Sequence, residues 1–287
     1  LSPRFSGKGE GRKAEKNSMS PGMAGVGEWF ASEFSIATYD PYKPENGHCQ
    51  AARRGDMRAL FWHNGKPLSK PLTGCTSRMV MDKALPFISE AVRDKKPFFA
   101  VIWFHAPHLP VVGHPEYMTR HYSGLPDNQQ QYFSCITALD AQMGRLRAHL
   151  RHLKIEDKTM LCFASDNGPE VPTVINMRKT HNHDGARPWR GVKRDNWEGG
   201  HRVPFIVRWP KKVKEGSVSD QIICQTDIMA TCASLLGYDL PNNSAEDSFD
   251  ISSALFGDEK KQVRPHVLHQ TNSLALGIRQ GNWKYLD

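Results

Sequence analysis

The 287-residue sequence has no apolar stretch long enough to cross a bilayer; the longest, Pro97 to His108, is only strand-sized. Among its six cysteines (Cys49, Cys75, Cys135, Cys162, Cys224 and Cys232) there is no CxxC pair, which argues against a zinc ribbon. No internal repeat is visible. The N-terminal stretch LSPRFSGKGEGRK is basic but lacks the apolar core of a signal peptide. The formal charge of +8 comes without zinc-finger spacing or an aromatic-basic RNA signature, so no nucleic-acid partner is expected. The basic residues are scattered rather than clustered, and they suit a general attraction for anionic substrates, sulfated or phosphorylated.

What is present is a globular composition, 39% hydrophobic and 24% charged, in a chain long enough to bury a sizeable core. Residues 1–27 are rich in Gly, Ser, Lys and Pro and read as loop, and Pro41 to Lys70 lacks clear periodicity. From Arg78 to Arg93, Val80, Ala84, Leu85, Phe87, Ile88, Ala91 and Val92 form a helical stripe. Pro97 stops it, and Phe98 to Phe104 reads as a buried strand. A second helix is expected from about Gln131 to Leu153, with Cys135 buried in it, and a third over Asp227 to Leu236. Thr159 to Ala164, carrying Cys162 into the core, and Pro204 to Trp209 are further buried strands. Leu274 to Ile278 and Trp283 to Leu286 flank a hairpin turn. Strands alternating with helices predict an α/β fold with a largely parallel sheet.

Two expected strands end in polar clusters, His105-Ala106-Pro107-His108-Leu109-Pro110 and Ser165-Asp166-Asn167-Gly168. A third cluster, Trp189-Arg190-Gly191-Val192-Lys193 followed by Glu198-Gly199-Gly200-His201-Arg202, leads into PFIVRW. In a parallel sheet the carboxyl ends of strands share the ligand-binding edge. Asp166 and Asn167 would then offer one charged and one neutral hard oxygen, which suits Ca²⁺ or Mg²⁺ rather than zinc. Taken singly, Asp-Asn-Gly is a turn, His108 a structural histidine and Lys193 a solvated cation. His181 and His183 read as polar loop residues, and Glu198 with Arg202 as a structural pair shaping the turn.

The ordered set FFAVIWFHAPHLP, TMLCFASDNGPE and RGVKRDNWEGGHRVPFIVRWP, with SDQIICQTDIMATCASLLG and GIRQGNWKYL behind it, resembles the sulfatase family of the alkaline-phosphatase superfamily over residues 76–287. The resemblance implies an alkaline-phosphatase-like sandwich, its central sheet flanked by helices and incomplete at both ends. It divides the chain into an irregular part at 1–75, a catalytic α/β core at 76–270 and the start of a C-terminal hairpin at 271–287. It implies a sulfuric ester hydrolase acting on a sulfated small molecule or polysaccharide, in an extracytoplasmic location. Asp166 and Asn167 would bind the cation, usually Ca²⁺, with Mg²⁺ as an alternative. His108 would contact the sulfate ester and move a proton, and Lys193 would bind a sulfate oxygen.

The family's formylglycine nucleophile arises from a cysteine in C-x-P-S-R or C-x-A-S-R, and neither motif occurs here; Gly74-Cys75-Thr76-Ser77-Arg78 is one residue short, so Cys75 reads as structural. Near the N-terminus, Lys8 is an imperfect counterpart of the family's lysine, with no histidine after it. The chain therefore reads as a sulfatase piece or a degenerate relative, inactive alone. The other readings left open are a phosphodiesterase or phosphonate hydrolase of the same superfamily, and a non-catalytic protein that binds sulfated polymers.

Overall fold

The computed structural model describes residues 21–23, 25–32, 35–46, 61–170, 185–258, 262–271 and 273–287; Lys8, His181 and His183 lie outside them. The chain divides into two compact units, the break falling after Leu153.

The first unit begins with a three-stranded antiparallel meander, β1 (Phe30–Ser32), β2 (Phe61–His63) and β3 (Lys66–Pro67). Asn64 and Gly65, both at positive φ (47° and 80°), make the two-residue turn between β2 and β3, where His63 pairs with Lys66. Such primed turns match the strand twist, and Asn-Gly is their preferred sequence. Phe30 and Phe61 stack with centroids 5.0 Å apart, and Ile36, Met79 and Val80 complete this core. Met79 and Val80 come from helix α1 (Thr76–Arg93), whose buried stripe also includes Met81 and Ile88. Helix α2 (Pro115–His121) leads into α3 (Asp127–His152), which buries Ser134, Cys135, Ala138, Gln142, Leu146 and Leu150 at helical spacing. Ser89 Oγ lies 2.9 Å from His149 Nε2, and Arg145 donates to Asp82 at 2.8 Å, fastening α1 to α3.

Residues 98–104, expected as a buried strand, have no ladder partner among the described residues. The extended chain turns Ile102 and Phe104 onto the Phe30–Phe61 core and leaves Phe99 (70%) and Trp103 (50%) exposed. Side chains alternate faces along an extended segment, so one covered face buries every second residue.

In the second unit β4 (Leu161–Ala164) pairs with β5 (Phe205–Arg208), and α4 (Glu198–His201) precedes β5. Helices α5 (Asp227–Leu236) and α6 (Ser252–Phe256) follow, then an antiparallel meander of β6 (Val267–Gln270), β7 (Leu276–Gln280) and β8 (Trp283–Leu286). Its β7–β8 turn is Gly281-Asn282, shorter than the 279–282 turn expected from sequence.

Each of the five strand pairings among the described residues is antiparallel, where strand–helix alternation predicts parallel neighbours. Both faces of the β4–β5 pair are only partly covered. Half-buried Phe163 pairs with exposed Ile206, and exposed Cys162 and Ala164 pair with half-buried Val207 and Phe205. Cys162 is thus not the buried hydrophobe its apolar run suggests. Cys75, just before α1, and Cys135 are both buried, and burial pushes the Cys135 thiol up to about 12. Burial also pushes the Cys162 thiol up, to about 11, so access is what separates it from the other two: native-state thiol labelling is expected to modify Cys162 and to proceed about tenfold more slowly at the buried Cys75 and Cys135. Labelling of Cys75 as fast as Cys162, read by peptide mass spectrometry, would refute its structural role.

Candidate functional site

His108 belongs to the first unit. Its loop is tied down by Thr38, whose hydroxyl donates to Val112 O (2.7 Å) and accepts from Val112 N (2.8 Å). Thr38 N donates to Pro110 O at 3.1 Å, and Thr76 N reaches Thr38 O at 3.0 Å, so the loop hangs on the start of α1. Leu109 and Val111 are buried against Cys135. His108 N donates to His105 O (2.7 Å), and His108 Nδ1 lies 2.5 Å from Leu109 O. A carbonyl only accepts, so Nδ1 carries the hydrogen and Nε2 is the basic nitrogen.

Asp166, Asn167 and Lys193 belong to the second unit. The Ala164↔Phe205 register sets the end of β4 beside the start of β5. Antiparallel pairing thereby brings the segments at 165–170 and 198–204 to one edge, the convergence that parallel pairing was expected to supply. The turn is internally bonded. Ser165 Oγ donates to Asn167 O (3.0 Å), Asn167 N to Asp166 Oδ1 (3.0 Å) and Asn167 Nδ2 to Gly168 O (2.9 Å). Gln225, just before α5, donates to Ser165 O.

Three backbone segments meet here at close range. Gly168 N donates to Gly200 O (2.9 Å), Gly199 N to Arg190 O (2.8 Å) and Lys193 N to Pro169 O (2.7 Å). A Cβ on Gly168 would fall 1.8 Å from Gly199 O, and one on Gly199 would fall 2.1 Å from Gly191 O. Only glycine lets these chains touch. Two cation–π stacks reinforce the loop, with the Arg190 guanidinium 3.9 Å from the Trp197 ring centre and that of Arg202 3.9 Å from Trp189. Arg194 forms a bidentate pair with Glu170 at 2.5 and 2.9 Å.

Asp166 is exposed and Asn167 half-buried; Asp166 Oδ2 and Asn167 Oδ1 have no hydrogen bond among the described residues. These are the oxygen types a hard cation takes. Their number does not suffice, since Ca²⁺ wants six to eight oxygens and no group of three or more His, Cys, Asp or Glu able to hold a metal occurs among the described residues.

Glu198 has more partners than the single arginine expected of it. Arg279 Nη1 and Lys284 Nζ each approach it at 2.9 Å, whereas Arg202 is 3.7 Å away. Burial alone would raise the Glu198 pKa, but Lys284 and Arg279 outweigh it and hold the carboxyl below its usual range. Lys284 Nζ also lies 2.6 Å from His201 Nε2, and the His201 and His269 rings stack at 3.6 Å. Lys284 and Arg279 lie in the GIRQGNWKYL segment, but nothing in its pattern names Glu198 as their partner. His269, inside a short strand, gives no signal at all.

The sequence model of the sulfatase family matches residues 5–238. The chain belongs to the sulfatase family. An N-acetylgalactosamine-6-O-sulfatase of Bacteroides thetaiotaomicron is 31% identical over 265 residues, 91% of this chain and 50% of the relative. An arylsulfatase G of Rattus norvegicus is 31% identical over 233 residues, 77% of this chain and 41% of the relative. This sulfatase-family chain thus spans about half the length of the curated relatives it matches. A crystal structure of Ps i-CgsB in complex with k-i-k-neocarrahexaose superposes with a TM-score of 0.77 at 25% identity, covering 93% of this chain and 59% of the other. The PsFucS1 sulfatase from Pseudoalteromonas sp. shares the fold, with a TM-score of 0.74 at 24% identity, 93% of this chain and 55% of the other. The fold class is therefore α/β of the alkaline-phosphatase-like kind, whatever the hand of the local strand pairs.

Proposed function

We propose that this chain carries the sulfate-recognising part of a sulfuric ester hydrolase for sulfated carbohydrates. The observation that carries the reading is the junction of the Asp166–Asn167 turn with the Lys193 loop, made by Lys193 N on Pro169 O and Gly168 N on Gly200 O. Asp166 and Asn167 would supply two oxygens to a divalent cation, Ca²⁺ before Mg²⁺, whose chemistry is to polarise the sulfate oxygens. Lys193 would place an ammonium beside a sulfate oxygen, and His108 would exchange a proton through Nε2. The carbohydrate class is supported by the named substrate of the bacterial relative and by the oligosaccharide in the aligned crystal structure. An extracytoplasmic location goes with the same family reading.

With no C-x-P-S-R or C-x-A-S-R motif in these 287 residues, the chain is proposed to bind sulfate esters without turning them over. Calorimetric titration with N-acetylgalactosamine 6-sulfate in the presence of Ca²⁺ tests this. Lys193→Met is expected to weaken binding about tenfold, the scale of one lost charge-assisted hydrogen bond. Undiminished affinity in that variant would remove Lys193 from the site. Robust hydrolysis of nitrophenyl sulfate by the wild-type chain would refute the proposed binding without turnover.

A further inference from the structure

We infer that the β7–β8 hairpin latches the Lys193 loop in place through Glu198, and that the stacked His201–His269 pair makes this latch conditional on both rings being neutral. The inference rests on the functional reading only for what the loop binds; the contacts themselves are independent of it.

From the hairpin, Arg279 and Lys284 hold one Glu198 oxygen each at 2.9 Å. Glu198 opens α4, and α4 presents its next two residues to the site. Gly199 N holds Arg190 O, Gly200 O holds Gly168 N, and Gly168 adjoins Pro169, whose carbonyl holds Lys193 N. The glycine contacts leave no slack at 1.8 to 2.2 Å for a virtual Cβ, so α4 cannot shift without moving the turn and the loop. Asn196 Nδ2 donates to Ala275 O (3.0 Å), a second tie between this loop and the segment entering β7.

The histidines set the condition. Two partners compete for His201 Nε2: Asn196 O at 3.3 Å would take a hydrogen from it, while Lys284 Nζ at 2.6 Å, which only donates, needs a bare lone pair, and the shorter contact is the one the neutral ring makes. The His269 ring lies against that of His201 at 3.6 Å and 17°, and its buried Nε2 has no hydrogen-bond partner among the described residues. The charged groups facing the pair are Glu198 on α4 and Arg202 just after it, Arg279 on β7, Lys284 on β8, and Arg264 ahead of β6. Arg264 is already neutralised by Asp227. A proton on either ring adds a cation to a group whose one carboxylate is shared among Arg279, Lys284 and, at longer range, Arg202. Burial, then His201 and Lys284, push the His269 pKa down from 6.5 to about 4. A depressed histidine favours the folded state fully above its unfolded value, and that contribution is lost as pH falls from about 6.5 toward 4.

Hydrogen exchange on the intact chain, corrected for intrinsic rates, tests both parts without any sulfate ester. Lys284→Met is expected to lower the protection of the Gly168, Lys193 and Gly199 amides about tenfold while α1 and α3 amides keep theirs, and Lys284→Arg is expected to restore most of it. In the wild type the same three amides are expected to lose about tenfold protection between pH 6.5 and pH 4, and His269→Phe, which keeps a stackable ring and leaves only His201 to take a proton, should shrink that loss. Wild-type protection in Lys284→Met overturns the latch. So does equal deprotection of every amide from 154 to 287, which would mark the hairpin as a general folding element. An acid loss of undiminished size in His269→Phe overturns the histidine condition. Should these results hold while N-acetylgalactosamine 6-sulfate fails to bind, the functional reading alone falls.

Discussion

Gly168→Ala is expected to cost about 3 kcal/mol of stability, the upper end of overpacking, because the atoms it meets are immobile. The new methyl would sit 1.8 Å from Gly199 O, which is backbone and has no rotamer to change. Gly199 cannot retreat, because its own Cα is pressed toward Gly191 O, and Gly200 is pressed toward Asp195 O at 2.2 Å for a virtual Cβ. Relief comes only by parting the three segments, which breaks the Gly168 N–Gly200 O bond and frees the turn that carries Asp166. Gly144→Ala is the control. Gly144 lies inside α3 with open space around its virtual Cβ, so that change should stabilise by about 0.5–1 kcal/mol. Urea denaturation of the two variants reads both signs. A wild-type midpoint for Gly168→Ala would mean that the close approach is not real.

Asp227→Ala is expected to be comparably damaging for a different reason. Asp227 is fully buried and Arg264 is 6% exposed, with Arg264 Nη1 3.2 Å from both carboxylate oxygens. The same carboxylate accepts Cys224 N (2.7 Å) and Phe249 N (3.0 Å), so it ties down the turn leading into α5 and anchors the approach to α6. Removing it strands a buried guanidinium, a loss of about 3–5 kcal/mol. If the stranded charge is the cause, adding Arg264→Met to Asp227→Ala recovers more than about 1 kcal/mol, because the uncompensated ion is then gone. A double variant no more stable than the single one would move the cost to the two lost amide bonds.

The helices were legible because each buries one stripe. The helix expected at 78–93 is α1, that expected at 131–153 is α3 with one more turn at its start, and that expected at 227–236 coincides with α5. The polar clusters at Asp166–Asn167 and at Lys193 were legible from their place after and before short apolar runs. Strand partnership was not. An apolar run says that a segment is covered, and the direction of its neighbour depends on chain crossings that no local pattern records. Hence Phe98–Phe104 looked like a core strand, while the β1–β3 meander went unread in a stretch without periodicity. Its Asn64-Gly65 pair was a signal available to be used. The Glu198 cluster was hidden for the same reason as strand direction, since Arg279 and Lys284 stand 81 and 86 residues from their partner. The resemblance supplied the family, and the structure supplied this mesh.

The tether on His108 also fixes a handedness in how that ring can be met. With Nδ1–H committed to Leu109 O, a half-turn about the Cβ–Cγ bond would set Cδ2–H against that carbonyl in place of Nδ1–H and lose the hydrogen bond, so the two orientations of the imidazole are not interchangeable. An acylating reagent should therefore add at one nitrogen only, and a visiting oxygen gains nothing by arriving from the Leu109 flank.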